Sequence, residues 1–362
     1  MKLIIQPGDG VERIVKGIRK ARKSIEIVIF RFDRPEIERA LVDAVERGVF
    51  VHALIAFTNR GGEDHLRKLE MSFLEAGITV ARTAGDLVRY HGKMMIIDRK
   101  ELYVLSFNYT QLDINRSRAF GVVTRNPKIV AEAVKLFEAD TQRQEYTAGS
   151  DSFLVSPVNA RKELARFIKG AKKEMLIYDV KISDRPLLRL LQERQKAGVE
   201  VRIIGAVAEK KLPACDLKRM RLHTRTIIRD RRDAFIGSQS MRQLELDARR
   251  EIGVIFRDGA AVKELIRTFE EDWAASSDDL EEARQPKKPA KKIVKKLVKS
   301  VAKSVPAEHV AKKLAKAISR KTDVKLNGKK IHETVTEIVQ DAVEQAAKNA
   351  AEQAVKVAGG VS

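Results

Sequence analysis

Two octets hold the side chains of this sequence best suited to chemistry: HGKMMIID, residues 91–98, and HTRTIIRD, residues 223–230. Each opens on a histidine, sets a cation two positions later, continues through a mainly apolar run and closes on an aspartate. In an extended strand residues i and i+2 share a face, so His91 projects with Lys93, and His223 with Arg225. Two imidazoles and two cations in one cleft suit a phosphodiester. The cations stabilise charge on the non-bridging oxygens, one imidazole attacks phosphorus, and the other protonates the leaving oxygen. A histidine kept only as core filler does not recur with its basic and acidic companions in one register.

The elements that must position these residues are themselves duplicated. At a constant offset of 132, without a gap, His91 falls on His223, Lys93 on Arg225, Asp98 on Asp230, Ser106 on Ser238, and FEAD (137–140) on FEED (269–272). Upstream, SIEIVIFRFDRPEIERALVDAVERGVFVHALI, starting at Ser24, echoes EMLIYDVKISDRPLLRLLQERQKAGVEVRIIG, starting at Glu174, at an offset of 150. Both copies read strand, turn, helix, strand, a βαβ crossover expected to feed a largely parallel sheet. The change of offset marks extra material between His65 and Tyr90 of the first copy, where TNRGGED (58–64) reads as a loop at a cleft rim.

Composition bounds the setting. A chain of 362 residues with 44% hydrophobic content can bury a sizeable core. No run approaches a membrane span, and the first residues lack the apolar stretch of a secretory signal. The single cysteine, Cys215, excludes an internal disulfide framework and makes a reducing compartment the expectation. The net charge of +21 is concentrated in residues 287–330, where 16 Lys or Arg face Glu308 and Asp323. The remainder is still basic enough to favour anionic ligands. His52 and His65 have no companions at metal-ligand spacing, and no metal or other cofactor is expected.

HGKMMIID followed by SFN, and HTRTIIRD followed by GSQS, resemble the paired HxKxxxxD and GSxN motifs of the phospholipase D superfamily. The resemblance covers roughly residues 1–280. It implies an α/β fold of two tandem phospholipase D-like α-β-α sandwich halves, residues 1–149 and 150–280, related by a pseudo-twofold axis, with a helical basic tail over 281–362. It further implies a phosphohistidine intermediate, with His91 as nucleophile, His223 as general acid, and Lys93 and Arg225 on the phosphoryl oxygens. Ser106, Asn108 and Ser238 add neutral donors, and Asp98 and Asp230 brace the lysine, the arginine and nearby backbone. Glu251, in REIGV, matches the carboxylate with which the family orients a histidine across the two halves. It faces Ala119 in the first copy, so the expectation is that Glu251 serves His91 and that His223 goes without a carboxylate. Arg225 in place of lysine, and Leu105 and Ser240 in place of glycine and asparagine, depart from the pattern.

Within that superfamily the expected substrate is a phospholipid, by hydrolysis or phosphatidyl transfer; a nuclease and a non-catalytic phosphodiester-binding protein are the alternatives. Ile293, Val294, Leu297, Val298 and Val301 share one face of a lysine-rich helical pattern, so residues 287–320 are expected to contact anionic membrane at its cytoplasmic face. The same charge suits nucleic acid. The duplication supplies both half-sites within one chain, so catalysis requires no dimer; the oligomeric state is left open.

Overall fold

The structure is a computed structural model that describes residues 1–58, 63–209 and 212–284, with side chains through residue 276. The tail from residue 285, and residues 59–62 of the expected rim loop, lie outside the described residues. Met1–Leu280 forms one compact unit.

The first copy contributes β1 (Lys2–Gln6), β2 (Ser24–Ile29), β3 (Phe50–Ile55), β4 (Thr79–Arg82), β5 (Arg89–Tyr90), β6 (Met94–Ile97), β7 (Glu101–Leu105) and β8 (Ser117–Thr124). The second contributes β9 (Phe153–Val155), β10 (Glu174–Ile182), β11 (Glu200–Val207), β12 (Ala214–Cys215), β13 (Arg221–Leu222), β14 (Arg225–Arg229), β15 (Asp233–Gly237), β16 (Arg249–Arg250) and β17 (Ile252–Phe256). One sheet runs β1-β8-β7-β6-β2-β3-β4, and the other, read from the corresponding edge, β9-β17-β15-β14-β10-β11-β12. The two orders match strand for strand, as the pseudo-twofold reading requires.

The sheets are mixed, which corrects the expectation of a largely parallel one. β2, β3 and β4 pair in parallel through helical crossovers, whereas β2-β6, β6-β7, β7-β8 and β8-β1 are antiparallel. The reason is local. Asp98 and Arg99 both adopt positive φ (53° and 51°), and the Lys100 N–H donates to the Ile97 carbonyl at 2.9 Å. This is the φ pattern of a type I′ turn, which folds β6 back onto β7 as a hairpin. Asp230 and Arg231 repeat it at 52° and 54°.

Alternation along the strands builds the layers. Ile25, Ile27, Met95 and Ile97 pack with Ile14, Leu41 and other residues of the first copy's outer helices, and Met175, Ile177 and Ile227 do the same with Leu164 and Leu188 in the second. The opposite faces, including Val28, Met94, Ile96 and Phe120 from one sheet and Tyr178, Ile236 and Ile252 from the other, share one core with Phe137 and Phe269. Phe120 meets Tyr178 edge to face, ring centres 5.4 Å apart. The halves therefore join through a continuous apolar layer, to which the octets contribute Met94, Ile96 and Ile228.

Candidate active site

Both octets leave regular structure at their histidines. Residues 91–93 and 223–224 are irregular backbone, and the strands begin at Met94 and Arg225. Each histidine is registered by the other half: the His91 N–H donates to the Arg250 carbonyl at 2.7 Å, and the His223 N–H to the Arg118 carbonyl at 3.0 Å. The short strands on either side extend these contacts, with β16 parallel to β5 and β13 parallel to β8. The crossing ties each histidine to the opposite half.

The two cations take equivalent positions. Lys93 Nζ donates to the carbonyl of His91 at 2.5 Å, and Arg225 donates to the carbonyl of His223 at 2.9 Å. Lys93 also lies 5.3 Å from the centre of the Phe30 ring, which meets the His91 ring edge to face at 4.6 Å. Arg225 uses its longer fork to donate from Nε to the Ser240 hydroxyl at 3.2 Å. Two of the three departures from the family pattern, Arg225 and Ser240, are thus partners in space.

Glu251 is fully buried. Its carboxylate lies 2.9 and 3.1 Å from Nδ1 of His91, across the interface between the halves. Burial raises its pKa, opposed mainly by Lys93 and a hydrogen bond from Ser238. With Nδ1–H donated to Glu251, the lone pair of His91 sits on Nε2. Burial, and then the charges of Lys93 and Arg225, push the His91 pKa well below its ordinary value. Burial and Arg225 do the same to His223, opposed by Asp113. Each histidine thus feels the cation of the opposite half as well as its own, which marks the four groups as one cluster.

His223 is not without a carboxylate, as Ala119 opposite Glu251 had implied. Asp113 Oδ2 stands 3.5 Å from His223 Nδ1, too far and too poorly aligned for a hydrogen bond, since that buried nitrogen has no partner. The same oxygen accepts from the backbone N–H of Asn108 at 2.9 Å and from its side-chain amide at 2.7 Å, while Oδ1 takes Arg221 at 2.6 Å. Asp113 escaped the motif reading, yet the offset that pairs His91 with His223 also pairs it with Glu245. Glu245 accepts from the Ser240 N–H at 2.8 Å, the counterpart of the Asn108 contact, and its charge acts on His91.

The serines hold strand positions. Ser106 Oγ accepts the Phe120 N–H at 3.0 Å, and Ser238 Oγ the Ile252 N–H at 3.1 Å. A hydroxyl that accepts an amide still has its own proton; Ser106 has that proton to give, whereas Ser238 directs its own toward Glu251.

Asp98 and Asp230 lie elsewhere, which corrects the expectation that they brace Lys93 and Arg225. They stand at the far ends of β6 and β14. Asp98 accepts from the backbone N–H groups of Arg22, Lys23 and Ser24 at 2.7–3.1 Å, and Asp230 from Lys172, Lys173 and Glu174 over the same range. The last residue of each octet is therefore a turn former and loop clamp. Cys215 is buried, its thiol pushed up to about 11 by burial. His52 packs against Phe137, ring centres 5.1 Å apart. Among the described residues no group of three or more His, Cys, Asp or Glu side chains is arranged to hold a metal ion, and no helix is long and apolar enough to cross a membrane.

Comparisons with known proteins bear on family and fold. A family model described as "Cardiolipin synthase, PLD-like domain" matches residues 14–141 and 164–273, one segment in each copy. The mitochondrial cardiolipin hydrolase of Danio rerio is 28% identical over 131 residues, which cover 35% of this chain and 56% of that protein. The chain thus spans little more than half the length of this relative. Two solved structures are alike in fold. Polyphosphate kinase from Porphyromonas gingivalis has a TM-score of 0.63 at 19% identity, over 74% of this chain and 46% of that one. Phosphatidylserine synthase from Haemophilus influenzae Rd KW20 has a TM-score of 0.54 at 10% identity, over 75% and 85%. Two equivalent halves, a crossed pair of histidine and cation sites, and a family model that finds both copies lead to one assignment: the chain belongs to the phospholipase D superfamily.

Proposed function

We propose that this chain is a phosphodiesterase acting on phospholipids through a covalent histidine intermediate formed at a single composite site. The observation that carries the reading is the crossed arrangement of Glu251 on Nδ1 of His91 beside the two buried cations. His91 Nε2 attacks phosphorus while Lys93 and Arg225 hold the non-bridging oxygens, with Ser106, Asn108 and Ser238 as neutral donors around them. The bond to the headgroup oxygen breaks, and that oxygen takes a proton from His223. Water then gives a proton to His223 and attacks phosphorus, releasing phosphatidic acid and restoring His91; an alcohol in place of water gives phosphatidyl transfer. Both imidazoles have depressed pKa values in the free protein, which suits a nucleophile; the phosphodiester anion and Asp113 supply the negative charge that lets His223 hold its proton.

The lipid preference rests on the cardiolipin hydrolase likeness and on the basic amphipathic tail. The direct test is phosphatidic acid release from mixed phospholipid vesicles in the presence of a chelator. Release by wild type and none by His91→Ala is the expected result; no release, with cleavage of DNA by the same preparation, assigns the site to a nuclease. Deleting residues 287–362 is expected to weaken binding to anionic vesicles, and unchanged binding removes the tail from the account.

A further inference from the structure

We infer that Asp140 and Asp272 are positioning residues for the two site histidines, each acting through an arginine of the opposite half. The inference rests on the composite-site reading for its consequence, though not for its geometry. The two aspartates end the repeated tetrapeptides FEAD and FEED, and they lie on the helices Pro127–Gln142 and Gly259–Arg284.

Asp140 forms an ion pair with Arg250, its Oδ1 3.0 Å from the guanidinium but not aligned for a hydrogen bond, and the carbonyl of that arginine accepts the His91 N–H at 2.7 Å. Asp272 takes Arg118 in a two-pronged pair, at 2.7 and 2.9 Å, and the Arg118 carbonyl accepts the His223 N–H at 3.0 Å. Each arginine makes a third equivalent contact. Arg250 donates to the Ser156 carbonyl at 3.2 Å and Arg118 to the Gln6 carbonyl at 3.1 Å, each within its own half. The path runs from helix to the opposite half and back, once for each histidine.

Three facts give the arrangement a role beyond holding the halves together. His91 and His223 sit in irregular backbone, so no strand ladder of their own fixes them. The backbone N–H of each donates to an arginine whose side chain is anchored. Both pairs are largely buried, with Asp140, Arg250 and Asp272 at 5%, 8% and 7% exposure, so solvent does not screen them. A displacement of about 1 Å at a reacting group can lower turnover by about 10²-fold. The two braces also differ in strength. Asp272 receives the Tyr178 hydroxyl at 2.7 Å as well, whereas Asp140 meets Arg250 through a single contact. The brace of His91 is the looser one.

The test follows the ring signals of the two histidines by NMR on the full chain labelled with ¹⁵N-histidine, which needs no substrate. Asp140→Asn is expected to move the His91 signals and leave those of His223 in place; Asp272→Asn is expected to do the reverse. With the phospholipid substrate each variant is expected to lose about tenfold in kcat with KM nearly unchanged. If a single variant fails to fold because its arginine is left buried and unpaired, the neutral pairs Asp140→Asn with Arg250→Gln, and Asp272→Asn with Arg118→Gln, carry the same expectation. Histidine signals that stay in place, or that move together in either variant, overturn the inference. Selective shifts in a chain that releases no phosphatidic acid sustain the braces and reject only the lipid reading.

Discussion

Lys93 keeps an ammonium fully buried, and burial pushes its pKa down to about 7 against the pull of Glu251. An unfolded lysine titrates near 10.4, so between about 7 and 10 the folded chain binds fewer protons than the unfolded one, and stability rises with pH. Denaturant unfolding at pH 7 and pH 10 checks this: wild type should gain stability relative to Lys93→Met as the pH rises, and a constant difference contradicts the assignment. Glu251→Gln leaves volume and hydrogen bonding nearly intact but offers Nδ1 an amide that can donate, which favours the tautomer with its proton on Nε2. Steady-state kinetics should show kcat lower by about 10³-fold with little change in KM. The histidine and cation pairs could be read in advance because their spacing repeats. Asp113 could not be read from the motif, because its relation to His223 exists only once the chain crosses between halves; its sole trace in the sequence is the alignment with Glu245.

At the scale of elements, the strand after each histidine works as a lever with the site at one end and a clamp at the other. Asp98 carries the clamp, with three backbone donors on one carboxylate and a positive φ of 53°. Asp98→Ala should cost about 2 kcal/mol in denaturant unfolding, and it should reduce kcat far less than His91→Ala. Burial acts to raise the Asp98 pKa, but the three N–H donors outweigh it and leave the carboxyl below its usual range. Its contribution to stability is therefore present above about pH 4 and lost as pH falls further, so the difference between wild type and Asp98→Ala should narrow from pH 5 to pH 3. The βαβ units were legible from their β-branched runs, and the parallel pairs β2-β3 and β10-β11 follow them. The antiparallel remainder was not, because the turn at Asp98-Arg99 contains no glycine or proline to announce it.

For the whole molecule, duplication is the origin of the site. Neither half holds a complete set: His91 takes its carboxylate from the second copy, and His223 has its nearest carboxylate in the first. The sheet orders match while the site residues diverge, with Lys93 against Arg225, Asn108 against Ser240 and Ala119 against Glu251. A symmetric scaffold thus carries an asymmetric set of residues, and the function we propose gives the two histidines different work. The measurement that tests this most directly is an acid quench during turnover of a phospholipid labelled in its phosphate, followed by peptide mapping. The expected result is one phosphatidyl group per chain at most, on His91, and only a trace in Glu251→Gln. Label on His223, or label on both histidines, contradicts it.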